Sequence, residues 1–228
     1  CVFGLVRSVN ISSFEVMHAH QVLRNGGLVL LPTDVGFGLV ASSDAAIERI
    51  YALKGRPASK PCVTVANAAI LDDVAELPGE AERSWLDRVA RRAPIAVINH
   101  VRAGSRLLAN VSSYVLGQIT TSGTIATFIN AGALVDALAV LARLDGQLVV
   151  GSSANVAFTG NNYDLDEVPA SIRDEVDLVI RGPRARYADP RRIATTILDM
   201  TRGTFVREGI EFGAIADEWA SFQARACA

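Results

Sequence analysis

Three short stretches set chemistry-bearing side chains hard against apolar runs. In GGLVLLPTDVGFGL, residues 26–39, the hydroxyl of Thr33 and the carboxylate of Asp34 follow a run of aliphatic residues, and glycines surround Phe37. Proline lacks the N–H that a central ladder uses, so Pro32 is expected to end the strand. Glycines let a backbone pass close to a ligand; the plain alternative is a tight turn. In KGRPASKP, residues 54–61, Lys54, Arg56 and Lys60 share a loop stiffened by Pro57 and Pro61. A guanidinium fork and ammonium point charges suit phosphate or carboxylate oxygens. The plain alternative is a solvated basic loop at a helix C-terminus. As a loop cation, Lys54 is expected to be removable without harm to the fold. In GSSAN, residues 151–155, hydroxyls and an amide follow the apolar Leu148–Val150. That is where α/β sheets bind ligands, the alternative being a Ser or Asx turn.

The elements that must position these stretches follow from periodicity. Ser13–Arg24 carries Phe14, Met17, Val22 and Leu23 at helical spacing, stopped by Gly26-Gly27. Leu28–Leu31 reads as a buried strand. Asp44 can cap a helix through Ile47, Ile50, Tyr51 and Leu53 that Gly55 ends. Strands are expected at Cys62–Ala66, Ile95–Ile98, Leu148–Val150, Asp177–Ile180, Thr195–Leu198 and Thr204–Val206, with an exposed charged helix over Gly79–Arg92 and an apolar helix over Leu134–Leu144. Ser105–Gly123 shows no firm period. With no repeat, linker or composition break, one α/β domain over residues 1–228 is the economical expectation.

Composition narrows the function classes. The chain has 228 residues, half of them hydrophobic, and a formal charge of −2. It is long enough for a real core, and no broad nucleic-acid surface is expected from that charge. Cys1, Cys62 and Cys227 form no CxxC, and His18, His20 and His100 form no metal pattern, so no protein metal site is expected. No apolar run reaches membrane-spanning length. The scattered cysteines fit a reducing compartment, and a cytoplasmic protein is expected.

PTDVGFGL, KGRPxxKP, SSAN, and ATTILD ahead of VREG follow one another in an order that resembles the YrdC-like family, from about residue 26 to 215. Catalytic members of that family are threonylcarbamoyl-AMP synthases, and the chain is similar to the short form. The resemblance implies a single domain with a twisted mixed sheet flanked by helices and a large, positively charged concave cleft. It implies condensation of L-threonine, bicarbonate and ATP, with Mg²⁺, to threonylcarbamoyl-AMP and pyrophosphate. Partner proteins would then modify tRNA. Carried over, Lys54 and Arg56 would be catalytic. Thr33 would help hold the amino acid, Lys60 would bind anionic groups, Ser153 and Asn155 would contact the nucleotide, and Thr196 and Arg207 would line the same face.

One segment departs from the family pattern. Where members carry an arginine facing the nucleotide, TIATFINAG has Phe128. Arg102, Arg106 and the arginines of 184–192 are candidates to stand in. Two alternatives therefore accompany the synthase reading: a diverged paralogue handling another amine or carbamoyl donor, and a noncatalytic nucleotide- or RNA-binding module.

Overall fold

The computed structural model describes residues 13–55, 57 and 60–226; Arg56, Cys1 and Cys227 lie outside them. The first half runs α1 (Ser13–Arg24), β1 (Val29–Thr33), β2 (Gly36–Ala41), α2 (Asp44–Lys54), β3 (Val63–Ala66), α3 (Ala68–Val74), β4 (Ala75–Glu76), α4 (Glu80–Ala90), β5 (Ile95–Val101) and α5 (Arg106–Asn110). The second half runs α6 (Ser113–Ile119), β6 (Thr120–Thr121), β7 (Thr124–Ile129), α7 (Ala133–Leu144), β8 (Val150–Ser153), α8 (Ala170–Arg173), β9 (Leu178–Val179), β10 (Thr196–Asp199), β11 (Thr204–Arg207) and α9 (Phe212–Ala226).

The strands form one mixed sheet in the order β11-β10-β5-β7-β3-β8-β2-β1-β9, with β4 on β5 and β6 on β7. Antiparallel hairpins such as β1–β2 alternate with parallel neighbours such as β3 and β7. Helices pack against this sheet, and the core is continuous from Leu23 on α1 to Phe222 on α9.

Several expectations change in physically readable ways. β1 does not stop at Pro32 but continues through Thr33, paired with Phe37 and Gly36. Leu30 accepts from Ile180 N–H beside β9, so Pro32, two residues on, turns its missing N–H toward that same edge. β9 pairs only Val29 and Leu30, so no ladder bond is lost. Helix α1 forms as expected, but Phe14 and Met17 are 72% and 65% exposed, while Val16, Ala19 and Leu23 are buried. Small Ala19 lets the helix sit close, a gain that side-chain hydrophobicity does not reveal. Ser43, not Asp44, caps α2, accepting from Ala46 N–H, and Gly55 closes it at φ +56°. α4 was expected to be exposed, yet fully buried Trp85 meets Trp219 of α9 edge-to-face at 4.7 Å.

Candidate functional site

Side chains alternate across a strand, so every second residue of β3, β5 and β7 reaches one face of the sheet. There Val63, Val65, Ala96, Ile98, Ala126 and Phe128 form the floor of a cavity of about 330 Å³. The β1–β2 hairpin supplies Thr33 and Gly36, the approach to β3 supplies Lys60 and Pro61, β8 supplies Ser152 and Ser153, and Thr195 and Arg207 come from the β10–β11 side. Residues that are more than a hundred positions apart in the chain thus share one hollow.

Each expected site residue among the described ones has a definite place. Thr33 lines the cavity, and its hydroxyl donates to Gly36 O at 2.6 Å while accepting from Val35 N–H at 3.2 Å. Lys60 is exposed at the cavity wall, its Nζ 4.3 Å from the ring centroid of Phe158. Ser153 and Arg207 also line the cavity, and Arg207 Nε donates to Thr195 O at 2.7 Å. Arg56 lies outside the described residues.

Lys54 behaves unlike a loop cation. It is the last residue of α2 and only 2% exposed. Its ammonium donates to the carbonyl oxygens of Ser153 and Asn155, the latter at 2.8 Å, and to Asn155 Oδ1 at 3.2 Å. Asn155 is itself buried, its Nδ2 donating to Val156 O at 2.7 Å. Neither Lys54 nor Asn155 is among the cavity-lining residues; together they brace the turn that presents Ser153. The expectation that Lys54 is dispensable to the fold is therefore corrected: removing it strands buried carbonyl acceptors. The SSAN stretch is only partly a loop after the strand, because Ser152 and Ser153 belong to β8 itself and Ala154 and Asn155 follow it.

Thr196 is buried and serves as a clip. Its hydroxyl donates to Ile210 O at 2.7 Å and accepts from Gly209 N–H at 3.1 Å, while its neighbour Thr195 lines the cavity. Phe128 is 8% exposed, flanked across the sheet by Val65 and Ala96. None of the arginines considered as stand-ins lines this cavity. Arg102 donates to Ala75 O, and Arg184 pairs with Glu167 at 2.9 Å.

The described lining holds two charged side chains, Lys60 and Arg207, and no carboxylate. Asp34, next to Thr33, turns elsewhere: its N–H donates to Ala131 O and its carboxylate lies against Gly132. Burial raises the Asp34 pKa, partly offset by the charge of Arg186. Among the described residues no cluster of three or more His, Cys, Asp or Glu is placed to hold a metal ion. No described helix is long and apolar enough to cross a membrane. Asn161, a buried amide in the cavity wall, was not among the expected site residues. A paired Gly-Asn-Asn so soon after a polar strand end was the signal available.

Comparison with known proteins places the chain in a family. The Sua5/YciO/YrdC family model, described as telomere recombination, matches residues 21–209. Threonylcarbamoyl-AMP synthase of Pseudomonas aeruginosa is 30% identical, covering 86% of this chain and 98% of that protein. The Pyrococcus abyssi threonylcarbamoyl-AMP synthase is 26% identical over 84% of this chain, which spans about half (52%) of that longer relative. Among solved structures, P. abyssi Sua5 complexed with L-threonine superposes with a TM-score of 0.69 at 22% identity, over 86% of this chain and 54% of that one. A hypothetical protein of Streptococcus mutans gives 0.77 at 19% identity, over 90% of both chains. The chain belongs to the Sua5/YciO/YrdC family, and its relatives' names point to a transferase-type enzyme.

Proposed function

We propose that this family member is an L-threonylcarbamoyl-AMP synthase. In the first step R–NH₂ and HCO₃⁻ give R–NH–COO⁻ and H₂O. In the second, a carbamate oxygen attacks the α-phosphorus of ATP and pyrophosphate leaves. The product would pass to partner proteins that modify tRNA. Both steps bring anions together, so the site's task is to neutralise charge and hold reactants in line, without a nucleophilic side chain.

The observation that carries this reading is the convergence of Thr33, Lys60, Ser153 and Arg207 on one hollow whose described lining has cations and no carboxylate. Lys60 and Arg207, with Arg56 from the same loop as Lys60, would bind the carboxylate and phosphate oxygens. Lys54 and Asn155 would act by fixing the turn beneath Ser153, and Thr196 by fixing the segment before Arg207. Mg²⁺ would arrive with the nucleotide. With no carboxylate in the described lining, hydroxyls and the phosphates themselves are its natural ligands.

Phe128 favours one second reading, a paralogue that uses another amino acid, because it gives the floor an apolar surface where the family carries an arginine. Pyrophosphate release from ATP, Mg²⁺ and bicarbonate, measured with threonine or other amino acids, decides between them. Threonine- and bicarbonate-dependent release is the expected result. Release with a different amino acid supports the paralogue, and no release from folded protein overturns both.

A further inference from the structure

We propose that Asn161 is the group that orients the substrate's amine and restricts the site to primary amines. This rests on the synthase reading above. Asn161 lines the cavity and is 5% exposed. Its Nδ2 donates to Val35 O at 2.8 Å. A carbonyl only accepts, so this bond fixes which amide atom is the nitrogen and leaves Oδ1 as the acceptor available to a ligand. Oδ1 receives no hydrogen bond from any described residue.

The loop that carries Asn161 is pinned on several sides. Its N–H donates to Arg192 O and Asn162 O accepts from Phe37 N–H, both at 2.8 Å. Asn162 Nδ2 donates to Ala154 O at 2.7 Å, and Asn162 Oδ1 accepts from the Arg192 guanidinium at 2.5 Å. Gly36 is what allows this seat. At φ +134° any side chain is strained, and a Cβ there would stand 2.8 Å from Asn162 O and 3.2 Å from Asn161 Nδ2.

The other polar side chains lining the cavity differ in kind. Lys60 and Arg207 only donate, the Thr33 hydroxyl is engaged within its own turn, and Ser152, Ser153 and Thr195 carry hydroxyls that rotate to suit. Asn161 Oδ1 is the fixed acceptor of the described lining. Its neutrality matters because the nucleophile must be R–NH₂, not R–NH₃⁺. A carboxylate at this position would favour the ammonium, whereas nearby cations disfavour it. An amide oxygen accepts an N–H without adding charge. The nitrogen enters with two hydrogens and keeps one in the carbamate, so the same acceptor can hold it through both steps. A secondary amine has none left after carbamate formation.

The test compares threonine with N-methylthreonine, by calorimetric binding and by pyrophosphate release, in wild-type protein and in Asn161→Ala. Wild type is expected to favour threonine by about tenfold or more in kcat/KM. Asn161→Ala is expected to lose roughly tenfold with threonine and to bring the two amines within about threefold of each other. A folded Asn161→Ala that keeps the wild-type ratio overturns the inference while the synthase reading stands. If that variant does not fold, wild-type protein that binds both amines equally overturns it instead. Wild type that releases no pyrophosphate with any amino acid overturns the reading and the inference together.

Discussion

The two faces of the central strands contrast in an unexpected sense. On the cavity side, β3, β5 and β7 present Val63, Val65, Ala96, Ile98, Ala126 and Phe128, several of them half-buried. On the other side lie Thr64, Asn99 and Thr127, all 0% exposed. Thr64 Oγ1 and both amide atoms of Asn99 have no hydrogen-bond partner among the described residues. Both faces are mainly apolar, the sealed one through Ala66, Ile95, Val97, Ile125 and Ile129, yet on these three strands it is the sealed face that also holds polar side chains. Burial polarity therefore does not identify the working face here. What marks it is a pair of cations, Lys60 and Arg207, among the hydroxyls of its lining.

The largest effect should come from placing one cation on each face at adjacent positions. Thr127→Arg buries a charge with no counter-ion and should cost about 4 kcal/mol or more, leaving little folded protein. Phe128→Arg, one residue on, can lay its stem on the floor and its head in the cavity, costing only about 1–2 kcal/mol. Denaturant melts of the two variants check this, and equal losses would erase the distinction between the faces.

A second contrast separates the two lysines of KGRPASKP. Lys54→Ala should lower stability by about 2–4 kcal/mol because the carbonyls of Ser153 and Asn155 lose their donor. Lys60→Ala should leave the melting temperature nearly unchanged yet reduce kcat/KM about tenfold. A Lys54→Ala protein of wild-type stability would contradict its bracing role.

The smallest effect lies at the end of the sealed face, where Ala66 and Ile129 meet Asp136 in a hollow of about 440 Å³. Burial pushes the Asp136 pKa up to about 6, with the Ala131 and Gly132 N–H groups pulling it down and the Asp34 charge adding to the rise. The folded state then takes up this proton before the unfolded chain does, so the site costs stability above pH 6. That cost fades as pH falls toward 4. Asp136→Asn should be more stable than wild type by about 1–2 kcal/mol at pH 7.5, with no difference near pH 4. A gain independent of pH, followed by calorimetry, would assign the effect to something other than the carboxylate.

Element existence was legible in the sequence where periodicity was long: α1 and α7 lie where the pattern put them, while β1 and β8 exist as expected but run on into the motifs they were expected to precede. Faces and caps were harder. Phe14 and Met17 suggested one stripe of α1, but packing chose the stripe with Ala19. The stretch around Ser105–Gly123 gave no period because it holds two short helices. Each begins at a serine cap, with Ser105 accepting from Leu108 N–H and Ser112 from Val115 N–H. Within the site, the motif residues named the right neighbourhood. That Lys54 and Asn155 brace it from behind, while Asn161 lines it, depends on contacts across more than a hundred residues, and the Thr196 clip on contacts 13 and 14 residues away, none of which local pattern can carry.

The interlock of Gly36 with Asn161 and Asn162 has a consequence for how the protein is made. The hairpin that starts the cavity leaves the ribosome well before Asn161 and Asn162, which wall it, and Arg207 comes later still. Pairings this distant in sequence slow folding, because the chain must close long loops before they are rewarded. The nascent chain thus carries an apolar floor with an incomplete rim until Arg207 is made, and binding competence should appear in one step at that point rather than grow with length.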